Sequence, residues 1–286
     1  MGQNKQPAGP VVVTGAQGRI GRLLHQVWSQ PAYPAPNPVV WTSRQSGTAV
    51  WNIGHDAPTL PSDAVILHLA AVLHGPGLDQ NSAMTEEVCR TAIATGARHV
   101  FVVSTAAVYR PGGNLAETAA LAPSSPYGRA KLKAEQAAMR LLSAAGGPGL
   151  TVLRIGNLAG ADALLGGVRA GPPVVLDPVA GSGGPLRSYI GPGVLAGVLA
   201  ALIRRAMTGA PMPRVLNVAQ PGVVAMADLL MAAGHSWRFG PTNLAVIPVV
   251  GLAVGPLEAL LPAELLPPAT ARGLLADLRS LQGHWP

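Results

Sequence analysis

Cysteine is nearly missing from this chain: Cys89 is the single thiol in 286 residues. One thiol cannot close an internal bridge, so a small disulfide-stapled secreted scaffold is excluded. Charge is also sparse, at 12% of residues against 49% hydrophobic, and a disordered chain needs the opposite balance. Aromatic residues make up only 4%, and the basic residues stand singly apart from Arg204 and Arg205. The basic runs and stacking platforms of a nucleic-acid binder are therefore lacking, and no nucleic-acid partner is expected. No signal-like segment opens the sequence, which points to a cytoplasmic location.

Long apolar runs are lacking too. The best candidate, LAVIPVVGLAVGPL from Leu244 to Leu257, is shorter than the roughly 20 residues a helix needs to cross a bilayer. Pro248, Gly251, Gly255 and Pro256 also interrupt it, so no membrane span is expected.

What the chain does have is 35 Gly, 28 Pro and a formal charge of +7. Short β-rich runs alternate with helix-period segments through the first half, the pattern of a doubly wound parallel α/β sheet. Strands are predicted at Val11 to Thr14, Val39 to Thr42, Ala64 to Leu69, Val100 to Ser104 and Thr151 to Ile155. Helices are predicted at Arg19 to Gln30, Gln80 to Thr95 and Pro126 to Ala145, with Gly96 and Gly146 as C-terminal stops. Beyond Gly156 the alternation loosens, with a helix near Val194 to Met207, a strand at Val215 to Val218, and helices near Met226 to Ala233 and Ala269 to Leu281. The expected organisation is a tail over residues 1–9 and a dinucleotide-binding Rossmann core over 10–155. A substrate-binding cap over 156–286 then interleaves with closing core elements at about 191–220.

Val11 to Gly21 reads VVVTGAQGRIG, a buried strand followed by Gly15, Gly18 and Gly21 and then a helix. Glycines there permit a tight turn, let backbone approach a pyrophosphate and let the helix pack close, while the helix N-terminus offers N–H donors and positive potential. The alternative is a glycine-rich turn with no ligand; its place after the first strand of the alternation favours the dinucleotide. An acid at the end of the second strand would hold a ribose 2′-hydroxyl. That region reads Val40, Trp41, Thr42, Ser43, Arg44, with no acid, so NADP(H) is expected over NAD(H), with Arg19 as a second positive group. The plain alternative is an Arg44 that only faces solvent.

Tyr127 and Lys131 lie four apart on a predicted helix and share one face. With three lysines and four tyrosines in the chain, such a pair arises by chance in about 4% of cases. A neighbouring ammonium is expected to lower the phenol toward neutrality and make it a usable acid or base; the plain alternative is an exposed helix pair.

These motifs resemble the extended short-chain dehydrogenase/reductase superfamily in its NAD(P)-dependent epimerase/dehydratase branch, over about residues 10 to 220. The similarity rests on the TGxxGxxG turn from Thr14 to Gly21, DAVILHLAA from Asp63 to Ala71, VFVVSTAAVY from Val100 to Tyr109, and the Tyr127/Lys131 pair. Asn81, Thr85, Glu117, LRIGNLAG from Leu153 to Gly160, PLRSYI from Pro185 to Ile190 and RVLNVA from Arg214 to Ala219 extend it. The resemblance implies an enzyme that transfers hydride at a carbonyl or hydroxyl carbon. In it Tyr127 is the acid/base, Lys131 holds the nicotinamide ribose, and the hydroxyl of Thr105 meets the reacting oxygen. It implies cofactor contacts from Gly15, Gln17, Gly18, Arg19, Ile20, Gly21, Ser43, Arg44, Asn52, Ile53, Leu69, Ala70 and Ala71. Substrate contacts fall on Ser104, Asn157 and Arg187. The alternative for Arg187 is a structural pair with a local carboxylate such as Asp177.

The partner is thus a small-molecule substrate, phosphate- or sugar-bearing. Ser188 in place of the family's acid, Gly-Pro-Gly after Ile190 and a short stretch between Gly156 and Arg187 count against a nucleotide-sugar substrate. That short stretch, with the NADP(H) expectation, tilts the reading toward net oxidoreduction over a nucleotide-sugar epimerase or dehydratase with tightly bound NAD. A third reading is a dinucleotide-sensing module without chemistry. The scattered histidines and lone cysteine offer no metal set, so none is expected. Trp237, Trp285 and the apolar C-terminal run have three readings: pocket lining, core, or the face of a homodimer.

Overall fold

The computed structural model describes residues 9–33, 35–36, 38–45, 49–55, 58–144, 146–166, 172–181 and 184–281. The tail over 1–8, Trp285 and the end of the third predicted helix at Ala145 lie outside them.

Seven strands form the main sheet: β1 (Val11–Thr14), β2 (Val39–Ser43), β3 (Ala49–Val50), β4 (Val65–His68), β5 (His99–Thr105), β6 (Gly149–Ile155) and β7 (Val215–Val218). Their spatial order is β7-β6-β5-β4-β1-β2-β3, the order of a doubly wound sheet that reverses direction beside its first strand. β1 pairs in parallel with β2 and β4, β2 with β3, and β4 with β5. Val152 N–H bonds Arg214 O, and Gly156 N–H bonds Val218 O, so β6 and β7 advance together as a parallel pair. The β1 and β4 sequences, VVVT and VILH, are buried at every position, as a strand covered on both faces requires.

The helices answer to local signals. α1 (Arg19–Trp28) buries Leu23, Leu24, Val27 and Trp28 on one stripe, each contributing about 1.5–3 kcal/mol if fully buried. α2 (Gln80–Ala94) ends before Gly96, whose φ of +66° is the left-handed stop anticipated there. α3 (Pro126–Leu141) starts with Pro126 in its first turn and Ser125 as cap, whose Oγ accepts from Gly128 N–H at 3.0 Å. α2 packs on α3, and Arg140 reaches Glu86 at 3.0 Å. α4 (Pro192–Met207) begins two residues earlier than its periodicity suggests. Its first N–H groups, on Gly193 and Val194, donate to the Asp277 carboxylate at 3.0 and 3.2 Å.

The chain divides into two compact units. One comprises Met1–Ser104, Ser125–Leu153 and Leu199–Val215. Its core gathers Val12, Trp51, Ile66, Val88, Val100, Leu142 and Val152. The other comprises Thr105–Ser124, Arg154–Val198 and Leu216–Pro286. It is built on short strand pairs: Asn157–Leu158 with Tyr189–Ile190, Val174–Leu176 with Trp237–Phe239, and Leu186–Arg187 between Val224–Ala225 and Val249–Val250. Helices Met226–Ala233 and Ala271–Ser280 cover a core containing Tyr189, Leu229, Leu230 and Leu274. The apolar run from Leu244 folds into the short strand Val249–Val250 and the one-turn helix Gly255–Glu258. Among the described residues no helix is long and apolar enough to cross a membrane.

Candidate active site

The three glycines of the first turn have different reasons to be glycine. Gly15 has φ +72°, and a Cβ there would lie 2.6 Å from Ala70 N and 2.7 Å from Ala70 Cα. At Gly21 a Cβ would meet Gly15 O at 2.5 Å and Ala16 O at 2.6 Å. Both are required by the chain's own packing. Gly18 has an ordinary extended backbone, with φ −72°, and a Cβ there would approach only Gly15 O, at 3.1 Å. It is exposed, heads α1 without a side-chain cap, and is followed by a first turn free of acidic residues. Gln17 and Arg19 beside it are exposed as well, and Ile20 is half-buried.

At the end of β2, Thr42 is buried and its hydroxyl donates to Val13 O at 3.1 Å. Ser43 is half-buried and Arg44 exposed. Ser43 O accepts from Trp51 N–H at 2.8 Å, which brings in Asn52, exposed, and Ile53, half-buried.

The exit of β4, Leu69 to Ala71, is fastened by a chain of hydrogen bonds whose direction can be read. Thr85 donates to Asn81 O at 2.8 Å, so its oxygen accepts from His68 Nε2–H at 3.2 Å. That makes His68 Nδ1 the acceptor of the Thr14 hydroxyl at 2.8 Å, and Thr14 Oγ1 in turn accepts from Ala70 N–H at 3.4 Å. The Asn81 amide closes the chain on Val72, accepting from its N–H at 2.8 Å and donating to its O at 2.9 Å. His68 therefore works as a neutral imidazole, each nitrogen in a fixed role. Burial, and secondarily the Lys131 charge, pushes its pKa down to about 3.

On α3, Tyr127 is half-buried, while Lys131 is only 4% exposed and Glu135 1%. Burial pushes the Tyr127 phenol above its ordinary range. The expected lowering by the ammonium is thus not met in the free chain, because desolvation of a phenolate outweighs it. Burial takes Lys131 down to about 8, with Glu135 pulling the other way. Ser104, expected to face substrate, is buried and donates its hydroxyl to Glu135 Oε1. β5 alternates its faces, so when Thr105 is half-buried toward one side, Ser104 points to the other.

In the second unit Thr105 Oγ1 accepts from Ala107 N–H at 3.2 Å, which leaves its hydroxyl proton to donate. The loop that follows is held by a buried polar group. Tyr109 donates to Asn217 Oδ1 at 2.7 Å and accepts from Arg154 at 2.9 Å, and Asn217 N–H donates to Glu117 Oε1 at 2.9 Å. The side chain of Asn157 hydrogen-bonds Tyr189, whose hydroxyl also meets Asp162 Oδ2 at 3.3 Å. Arg187 is half-buried and donates to Leu186 O at 2.7 Å and Ile247 O at 2.9 Å, whereas Asp177 accepts from Asn243. The pairing of Arg187 with Asp177 is therefore replaced by backbone carbonyls, which the paired strands bring within reach.

The sequence pattern of the NAD dependent epimerase/dehydratase family matches residues 11–170, from β1 through α3 and past β6. The chain belongs to that family. No curated protein matches the chain in sequence. Among solved structures, UDP-glucose-4-epimerase from Stenotrophomonas maltophila, with bound NAD and formylated UDP-arabinopyranose, is similar at a TM-score of 0.75 and 19% identity, over 96% of this chain and 98% of that one. A variant of UDP-glucuronic acid 4-epimerase from Bacillus cereus, in complex with a fluorinated UDP-glucuronic acid analogue and NAD, gives 0.72 and 17%, over 96% and 99%. dTDP-glucose 4,6-dehydratase from Streptomyces venezuelae, with NAD bound, gives 0.69 and 18%, over 96% and 98%. Likeness at this identity establishes the shared fold.

Two participants in this epimerase/dehydratase-family chain escaped the sequence reading. Glu135 carried a legible signal, since it follows Lys131 by the same four residues that separate Lys131 from Tyr127. His68 was visible as a strand residue, but its partners Thr14 and Thr85 sit 54 and 17 positions away, and only folding joins them.

The neutral state of His68 sets an acid-stability prediction. Its folded pKa is depressed, so its contribution is complete above pH 6.5 and is lost as pH falls toward 3. Replacing His68 with Gln should flatten the pH dependence of unfolding free energy across that window by up to about 1.4 kcal/mol per pH unit, one proton's worth. Urea titrations at stepped pH check it; identical slopes in the two proteins would count against the neutral relay.

Proposed function

We propose that the chain is a nicotinamide-dinucleotide-dependent oxidoreductase of the epimerase/dehydratase type, acting on a small hydroxy or keto substrate. The observation that carries the reading is the buried Lys131 one turn beyond Tyr127 on α3, in a chain whose first turn leaves Gly18 open at a helix N-terminus. That turn suits a pyrophosphate: exposed backbone at Gly18, no competing cap and no acidic residue in the first helical turn. When bound, the dinucleotide supplies a hydride donor or acceptor.

The chain's own groups supply the rest. Tyr127, held protonated at neutral pH by burial, gives a proton to a substrate carbonyl oxygen, or takes one from a hydroxyl in the reverse direction. Lys131, largely an ammonium at pH 7, adds the positive charge that favours a phenolate when the proton leaves. The Thr105 hydroxyl, which keeps its proton for donation, is assigned to the reacting oxygen. The cradle of Leu69, Ala70 and Ala71 is assigned to the cofactor, because the relay through His68 holds that segment against the glycine turn.

Preference for NADP(H) over NAD(H) is supported by the exposed Arg44 and neighbouring Ser43, with no acid at the end of β2. The three relatives described above hold NAD, so this preference rests on these two residues alone. The nucleotide sugars in two of those relatives favour a second reading, an epimerase or dehydratase that returns its hydride. Against a nucleotide-sugar phosphate at Arg187 stands its use of two backbone carbonyls.

Two measurements test this. Tyr127→Phe should lower turnover by 10²-fold or more while dinucleotide affinity changes less than about threefold, in line with the usual worth of general acid–base catalysis. Undiminished turnover would reject Tyr127 as the acid/base. Fluorescence titration with both cofactors should show tighter NADP(H) binding, and Arg44→Ala should abolish the difference; tighter NAD(H) binding would reject the preference.

A further inference from the structure

Lys131 poses an energetic problem. An isolated ammonium taken out of water costs several kcal/mol, and a lysine so placed tends to lose its proton. The proposed chemistry needs that charge. Within one unit β4 brings His68, on which the Lys131 charge acts, α3 itself carries Tyr127 and Glu135, and β5 brings Ser104 to Glu135. Of the titratable groups, His68 is locked neutral by its relay to Thr14 and Thr85, and Tyr127 is protonated. Glu135 is the carboxylate that acts on Lys131, one helical turn further along the same face, where Cβ atoms lie about 5–6 Å apart.

Glu135 is itself buried, and a buried carboxylate is retained as an anion only with hydrogen-bond donors. Ser104 provides one, donating its hydroxyl to Oε1. This bond joins the end of β5 to the middle of α3.

We infer that Glu135 is a positioning residue for the reaction: oriented by Ser104, it keeps Lys131 as an ammonium in a buried setting, so that Tyr127 works beside a positive charge. The inference rests on the function proposed above for its relevance to turnover. The charge relation itself can be read without substrate.

The test exploits the scarcity of lysine. The full chain, grown on lysine labelled with ¹³C at Cε, gives three lysine signals, from Lys5, Lys131 and Lys133. Lys5→Arg and Lys133→Arg assign two, leaving the third to Lys131. In the ligand-free wild type its titration midpoint is expected at about 8. Glu135→Gln, which keeps an acceptor for Ser104 but removes the charge, should lower the midpoint by about one pH unit or more, a tenfold change in proton affinity. Glu135→Asp keeps the charge one methylene further away and should give a midpoint between the two. Should Glu135→Gln fail to fold, the Asp variant decides. A Lys131 midpoint unchanged from wild type in whichever variant is folded overturns the inference.

Turnover supplies a second signature. In Glu135→Gln, kcat at pH 7 should fall about twofold for a one-unit shift of the Lys131 midpoint, and further for a larger one, with KM nearly constant, and the deficit should shrink as pH is lowered and Lys131 regains its proton. A deficit independent of pH would mean that Glu135 is merely structural. A shifted midpoint in a chain that shows no hydride transfer would leave the charge relation intact and reject the proposed function instead.

Discussion

Everything at the candidate site depends on how closely the backbone leaving β1 approaches the backbone leaving β4. With a Cβ at Gly15 only 2.6 Å from Ala70 N, no side chain fits between the two exits. The φ of +72° at Gly15 then turns the chain sharply, and Gly21 lets α1 close down on the same turn. The outcome is a helix whose N-terminus is presented at the carboxyl end of the interior strand β1, with Gly18 exposed. Gly15 and Gly21 are held small by these contacts, and Gly18, whose N–H closes the turn on Gly15 O at 2.9 Å, is the exposed one proposed for the dinucleotide.

The second constraint is electrostatic. The sheet and α3 bury an imidazole, an ammonium and a carboxylate within one unit, in a chain with few charges to spare. Buried polar groups are tolerated when each has its partner, and here the partners are explicit: Thr14 and Thr85 for His68, Ser104 for Glu135. The same bonds that satisfy these groups also tie β1, β4 and α2 together around the segment Leu69 to Ala71. Stability and positioning are served by one set of contacts, so losing a partner affects both.

The parallel core was legible because its signals are local. VVVT and VILH are short apolar runs bounded by turn residues, Ser125 and Pro126 announce α3, and Gly96 ends α2. In the second unit the helices Met226–Ala233 and Ala271–Ser280 were legible, but the short strands were not. Those strands are two or three residues long, too short for period-2 alternation to register, and they pair across tens of residues, as Leu186–Arg187 does with Val249–Val250. Site residues divided along the same line. The glycines and the Tyr127/Lys131 pair carry their geometry in their spacing. Ser104 was assigned to substrate but donates to Glu135, and Arg187, assigned to substrate with a carboxylate pair as the alternative, donates to two backbone carbonyls, because strand pleat and long-range pairing decide where those side chains point.

We propose that Gly18 stays small for the dinucleotide, whereas Gly15 and Gly21 stay small for the fold. Replacing Gly18 with Ala separates the two roles, since its backbone accepts a side chain and the added Cβ meets only Gly15 O at 3.1 Å. Urea unfolding of the ligand-free protein should change by less than about 1 kcal/mol, the ordinary range for a tolerated glycine replacement. Dinucleotide affinity, measured on the same preparation by calorimetry, should fall at least tenfold. Dinucleotide binding as tight as in the wild type, or a protein that loses stability and affinity together, would contradict the account.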